Sequence, residues 1–389
     1  MSSRPALADF AVTPYATTLL SKVADVFTDG DWIETKDQAE SGIRLVQTGN
    51  VGCGEYKDRA DKARFIDKET FDRLKCFEVL PGDILISRLP DPVGRACIVP
   101  DIGQKMITAV DCSIVRLKQG AVDPRFFSYY TQTHEYLRDV DSRCTGTTRR
   151  RISRKNLGQV SVPLPPLDEQ KQIVAVLDQA FAAFDRARVN AEANLADAQE
   201  LFVSELREKF RQASIGNARL SFDQLCDTLT PSIKIKRADY LDEGNYPIVS
   251  QEAESVSGYW NDPGALLGIE RPVVVFGDHT RCLKYIDFDF VVGADGTKIM
   301  QPESGISAGY LYFGLRSQPV PEDGYARHFK FVRERTLPDI SFREQEDLAQ
   351  ALFDIEEKCK GLEASYQTKL ADIAALRQSL LQQAFAGEL

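Results

Sequence analysis

The sequence predicts an α+β chain arranged as domain, helix, domain, helix, and three observations carry that prediction. A segment near the middle of the chain repeats, without gaps, at the C-terminus. Both copies space their apolar residues three and four apart, as long helices do. The segments before them are instead rich in Gly, Pro, aromatic and β-branched residues, the composition of strands and turns. At 389 residues the chain suits two or three domains, each large enough to bury a core.

The first domain is expected over residues 1–162. Its opening, MSSRPALADF, lacks the basic, apolar, small-residue order of a signal peptide. No stretch of the chain approaches the roughly 20 apolar residues of a membrane helix. A cytoplasmic protein with no membrane partner is expected. Within this domain GDILIS (82–87), ACIVP (96–100) and CSIVRL (112–117) have strand length and end in turn residues. The second domain, 216–337, has RPVVVFGD (271–278) and FDFVVGADG (288–296). Two short echoes link the domains: Leu20-Ser21 with Leu220-Ser221, and IRLVQ (43–47) with YPIVS (246–250).

Residues 163–215 and 338–389 are the expected helical segments. Their repeat has an offset of 175, anchored by Glu169-Gln170 against Glu344-Gln345. Pro163/Pro338, Leu177/Leu352, Leu195-Ala196-Asp197/Leu370-Ala371-Asp372, Leu201/Leu376, Ser204/Ser379, Leu206/Leu381 and Phe210/Phe385 keep the same register. Chance does not hold one register over some fifty residues. In the first copy Val174, Leu177, Phe181, Phe184, Arg188, Ala191, Leu195, Ala198 and Phe202 form a coiled-coil seam. In the second, Leu348, Leu352, Ile355, Cys359, Leu362, Tyr366, Lys369, Ile373, Leu376 and Leu380 do so. Ser341 and Glu344 have the spacing of a capping box, and Asp168 and Glu169 suit a helix N-terminus.

A net charge of −10 is unusual for a protein that binds a polyanion, but it is unevenly spread. Residues 166–214 hold nine acids against six bases and residues 341–389 nine against five, so the helices supply −7 of it. Eight cysteines without a C-x-x-C pair and three isolated histidines indicate neither a zinc site nor a disulfide framework. Phosphate-cradle, nucleotide-fold, nucleophile-elbow and amino-methyltransferase signatures are missing, so no catalytic centre is expected.

What stands out is positive charge at matching places. RCTGTTRRRISRK (143–155) carries Arg143, Arg149, Arg150, Arg151, Arg154 and Lys155 with no acid, interleaved with Thr147, Thr148 and other hydroxyls. Such a loop suits phosphates and guanine edges. A solvated basic loop is the less favoured alternative, and YARHFKFVRER (325–335) weighs further against it by placing Arg327, His328, Lys330, Arg333 and Arg335 the same short distance before the second helix. Further candidates are Gln47, Thr48 and Asn50, with Ser250 and Gln251, in loops after the first strands, where amides can read adenine. His279 and Thr280, in GDHT, and Lys298, in ADGTK, follow other strands; tight turns with Asx bonds explain those two segments equally well.

PLPPLDEQKQIVAVLD (163–178), the long seam that follows and LLQQAFAGEL (380–389) resemble the DNA-specificity subunits of type I restriction-modification systems. GDILISR, TGTTRRRIS, FGDHT and GADGTKIM resemble segments of that family's target-recognition domains. The resemblance spans about residues 20–389, with the second Pro-Pro-x-x-Glu-Gln degraded to PDISFREQ (338–345). It implies two similar target-recognition domains, separated by two long helices that pair as an antiparallel coiled coil, in a pseudo-twofold arrangement. Each domain would read half of a bipartite double-stranded DNA site. The helices would dock two methyltransferase subunits, with motor-nuclease restriction subunits completing the complex. S-adenosylmethionine, ATP and magnesium would reside on those partners and none on this chain. The competing expectation is a coiled-coil adaptor whose duplicated domains bind proteins; the paired basic segments weigh against it.

Overall fold

The computed structural model describes residues 14–146, 150–294, 296–321 and 327–389. They form two compact units: the chain up to Asn190 with Leu370–Leu389, and Ala191–Lys369. Each unit thus takes in one α/β domain together with one end of each long helix.

The first unit is closed by a short antiparallel pair, Thr17–Leu19 with Ser161–Pro163, which brings the chain back to the helix start. Its larger sheet has the order Ala24–Asp29, Cys112–Leu117, Ile84–Ser87, Ala96–Ile98, all antiparallel. Ile84–Ser87 is buried along its whole length, which is why it reads as a continuous apolar run without alternation. A smaller sheet has Ile43–Val46 at its centre, antiparallel to Arg64–Ile66 and parallel to Met106–Thr108. Helices Pro124–Tyr130 and His134–Ser142 share one core with the larger sheet.

The second unit repeats this plan. Arg219–Leu220 pairs with Leu337–Pro338. The larger sheet runs Cys226–Leu229, Thr297–Pro302, Val273–Gly277, Leu283–Ile286. In the smaller one Tyr246–Val249 is antiparallel to Gly258–Trp260 and parallel to Phe290–Val292. The echo of IRLVQ with YPIVS is therefore an equivalence of strands. That of Leu20-Ser21 with Leu220-Ser221 is out of register by two residues: Pro163 faces Thr17 and Pro338 faces Arg219, so Leu20 corresponds to Phe222. Both are the buried first residue of a one-turn helix, Leu20–Val23 and Phe222–Leu225, and burial selected the position without preserving the letter.

The long helices are Leu167–Ala213, 47 residues, and Phe342–Ala386, 45 residues. In the first unit Leu177 and Phe181 share a core with Leu381, Ala384 and Phe385; in the second, Phe202 and Phe210 share one with Leu352 and Cys359. Start meets end in each, so the helices run antiparallel. The capping box forms: Ser341 Oγ accepts the Glu344 N–H at 3.3 Å, and the Glu344 carboxylate accepts the Ser341 N–H at 2.9 Å.

The repeated Glu-Gln finds its reason here. Buried Gln170 accepts the Asp123 N–H at 2.8 Å and donates to the carbonyls of Pro165 and Ala121 at 2.9 and 3.1 Å. Gln345 does the same for Ser307 (2.9 Å), Ile340 (3.0 Å) and Gly305 (3.4 Å). Asp123 and Ser307 cap equivalent helices, so each glutamine fastens a long helix to its domain. The repeated phenylalanines also match: Phe385 packs on Tyr130 at 5.4 Å and Phe210 on Tyr310 at 5.4 Å.

The expected seam needs one correction. Leu362 and Leu376 are 43% and 54% exposed. The contact face instead passes through Arg377, whose guanidinium lies 3.7 Å from the Phe181 ring centroid, to Leu381, Ala384 and Phe385. A strict heptad drifts around a straight 3.6-residue helix, and here the face has moved one residue on.

Candidate nucleic-acid interface

In the first unit several strands end close together, at Asp29, Val46, Ser87 and Thr108, and the residues that follow these ends make a polar rim with residues 143–146 and 150–155. The loop is closed by paired backbone bonds between Thr145 and Arg151 at 2.9 and 3.0 Å. Its buried Ile152 donates its N–H to the Arg88 carbonyl at 3.3 Å, which hangs the loop on the end of strand Ile84–Ser87. Ser153 then caps helix Arg154–Leu157.

The loop that has no acid in sequence meets several in space. Arg151 pairs with Asp111 at 3.2 Å, Arg150 with Asp141 at 2.8 Å, and Arg154 reaches Asp29 at 4.0 Å and the Thr28 hydroxyl at 3.3 Å. The guanidiniums of these three remain about half exposed, so the carboxylates orient them while outward N–H groups stay available. Lys155 is exposed. Thr147, Thr148 and Arg149 lie outside the described residues.

Sequence reading missed two arginines that build this rim. Arg88 is buried, pairs with Asp29 at 3.4 Å and donates to the Val110 carbonyl; burial draws its pKa down. Arg95 donates to the carbonyls of Thr48, Val51 and Leu89 at 2.9, 2.8 and 2.8 Å, locking loop 47–51 to loop 89–95. Both are positioning residues. Gln47 and Thr48 are half-buried in the locked loop. Asn50, expected at the surface of that loop, is instead buried, accepts the Gln47 N–H at 3.0 Å and donates to the Lys57 carbonyl at 2.9 Å. Its amide is spent on the turn.

The second unit's rim has the same node in other chemistry. The Asp278 carbonyl, at the end of strand Val273–Gly277, accepts the His328 N–H at 3.0 Å as the Arg88 carbonyl accepts that of Ile152. Arg151 and Arg327 therefore hold equivalent places, as do Arg154 and Lys330. His328 itself is 1% exposed, with Nδ1 3.0 Å from the same carbonyl, and so ties the segment to the strand end instead of facing outward. Asp278 Oδ1 also accepts the Phe329 N–H at 2.8 Å.

Around that node Gln251, His279 and Thr280 come together. Gln251 Oε1 accepts the His279 N–H at 3.3 Å, and the Gln251 carbonyl accepts the Thr280 hydroxyl. Gly296 makes the neighbouring turn with φ +74°, and a Cβ there would lie 2.6 Å from Gln251 Oε1. Lys298 is half-buried, its ammonium 5.7 Å from the Phe329 ring centroid, while Arg327, Lys330 and Thr280 are exposed. Ser250 is not at the surface: its hydroxyl bonds that of Ser257 at 2.7 Å, and its carbonyl accepts from Lys284 at 2.9 Å. Lys284, unnoticed in the sequence, is buried beneath the rim, and burial draws its pKa down.

Among the described residues no group of His, Cys, Asp or Glu could hold a metal ion, and no helix is long and apolar enough to cross a membrane. The described cysteines are all free thiols, five of them buried.

Comparison with known proteins agrees with this arrangement. Residues 19–194 match the family model of the type I restriction modification DNA specificity domain. The Type I restriction enzyme EcoBI specificity subunit of Escherichia coli is 26% identical over 180 residues, 46% of this chain and 37% of that protein. The MjaVIII specificity subunit of Methanocaldococcus jannaschii is 23% identical over 155 residues, 39% of this chain and 36% of that one. The matched stretch thus spans little more than a third of either relative. Two solved structures share the fold at 16% identity. One, from work on complex assembly and conformational transition of the type I R-M system, has a TM-score of 0.79 and covers 98% of this chain and 100% of its own. The other, the HsdS subunit from Thermoanaerobacter tengcongensis, has a TM-score of 0.60 and covers 96% and 97%. Residues 19–194, somewhat less than half of the chain, are thus similar to a type I restriction modification DNA specificity domain.

Proposed function

We propose that the chain is the DNA sequence-specificity subunit of a type I restriction-modification complex, working in the cytoplasm and carrying no catalytic centre of its own. Each unit reads one half of a bipartite double-stranded target through its rim. The observation that carries this reading is the repeated node, in which one topology presents Arg151 and Arg154 in one unit and Arg327 and Lys330 in the other. Cations at matching places suit phosphates, and the hydroxyls and amides beside them suit base edges.

The acidic outer faces of the long helices are poor ligands for DNA and reasonable docking surfaces for protein. Two methyltransferase subunits, one for each copy of the duplicated plan, would bind there and bring S-adenosylmethionine to adenines in each half-site. Motor-nuclease subunits with ATP and magnesium would complete the restriction form. The coiled-coil adaptor reading is not favoured, since the relatives matched are specificity subunits.

The test is a filter-binding assay of the chain with its methyltransferase partner against genomic fragments. Sequence-selective, salt-sensitive retention is expected. Retention without sequence preference, or none, would reject the reading.

A further inference from the structure

Strand Ala24–Asp29 continues past the rim. After Gly30, Asp31 makes one bridge: its N–H donates to the Thr108 carbonyl at 2.8 Å, and its carbonyl accepts the Val110 N–H at 2.9 Å. The second unit repeats this with Ile235, whose N–H donates to the Val292 carbonyl at 2.9 Å and whose carbonyl accepts the Ala294 N–H at 2.6 Å. The flanking residues are therefore equivalent: Gly30 with Lys234, and Trp32 with Lys236.

Trp32 is 70% exposed, although tryptophan is on average a well-buried residue. Lys234 and Lys236 are exposed as well, on either side of buried Ile235. Trp32 follows, along the strand, the residues that engage the cations of its rim. Val110, held by the Asp31 carbonyl, accepts from Arg88, and its neighbour Asp111 pairs with Arg151. Asp29, three residues before Trp32, receives Arg88 and Arg154. The Glu34 carboxyl, held below the usual carboxylate range chiefly by Lys36 and also by the Trp32 indole, lies near the ring, most of which is in solvent.

A single exposed apolar side chain carries no meaning by itself. This one occupies, in a cationic rim, the place that a lysine occupies in the equivalent rim. Aromatic rings among cations are how proteins hold bases without a hydrogen-bond code, by stacking or by wedging against a base step. We propose that Trp32 packs on the DNA bases of the half-site read by the first unit, while Lys234 and Lys236 reach phosphates from the same place in the second. The inference rests on the DNA-reading function proposed above.

The experiment uses the full chain with its methyltransferase subunits and a duplex that this complex selects from a random-sequence pool. Trp32→Ala, which removes a side chain outside the core, should weaken binding about 10-fold, within the range of base–aromatic stacking, and leave the salt dependence unchanged. Trp32→Phe should recover most of the loss. Lys236→Ala should instead lower the log–log salt slope by about one. Binding by Trp32→Ala within about twofold of wild type, or a salt slope that falls as for the lysine, would overturn the inference while leaving the DNA-reading function intact. So would loss of the methyltransferase subunits on co-purification of Trp32→Ala, because the residue would then belong to a protein interface. A wild-type complex that selects no DNA would remove the DNA-reading function and this inference together.

Discussion

The two units share every major strand pairing, yet their rims are built from different chemistry. The first is set by arginines answered by aspartates: Arg88 with Asp29, Arg151 with Asp111, Arg150 with Asp141. The second is set by main-chain and amide bonds around Asp278, Gln251 and His328, with the lysine Lys284 buried beneath. What stays constant lies at the other end of each domain, where Gln170 and Gln345 fasten equivalent helix caps and Phe385 and Phe210 pack on equivalent tyrosines. Scaffold and rim are therefore separable: repeated residues hold the domain on the helices, and the rim can change without disturbing them.

The largest test of that separation replaces residues 216–337 by the corresponding domain of a relative. Sequencing the DNA that the chimeric complex retains should show one half-site changed and the other intact; a change in both halves would mean that the units do not read independently.

Next in size is the shared anchor. Gln170→Ala and Gln345→Ala each leave three hydrogen-bond partners unmatched, most of them partly or fully buried, and an unsatisfied buried group costs roughly 1–3 kcal/mol. Each should destabilise its own unit by about 3 kcal/mol. Amide exchange is the measurement: helix Pro124–Tyr130 should lose protection in the first variant and Ala308–Arg316 in the second. Loosening of both helices by either variant would contradict the separation.

The rims can be compared by salt. Arg151→Ala with Arg154→Ala, and Arg327→Ala with Lys330→Ala, should each lower the log–log salt slope of binding by about one for every phosphate left without its cation. Equal reductions from the two pairs would show that the equivalent positions work alike; an unchanged slope for either pair would make that segment a solvated surface. The smallest effect is expected at Ser341→Ala, which removes one capping box and should cost about 1 kcal/mol, visible as fraying of the first turn of Phe342–Ala386 alone.

Sequence reading found the scaffold more readily than the rim, for physical reasons. Helical period and repeated letters are local, so Glu169-Gln170 and Glu344-Gln345 identified the helix starts before their bonds were visible. The rim is made by residues far apart in the chain. Nothing near 143–155 announces that Asp29 and Asp111 will answer its arginines. Burial is equally silent. Asn50, Ser250 and His328 have the side chains of base readers, yet each is buried and engaged. Trp32 has the side chain of a core residue and is exposed. Arg88, Arg95 and Lys284 carried no pattern to find, because isolated cations become positioning groups only once strands bring carbonyls to them.

Whether one chain reads DNA at two separate places is decided by mapping the methylated adenines of the source genome. The expected result is one motif of two specific blocks, each with a methylated adenine, separated by an unspecific spacer of fixed length. A single contiguous motif, or blocks at variable spacing, would contradict two readers held on one scaffold.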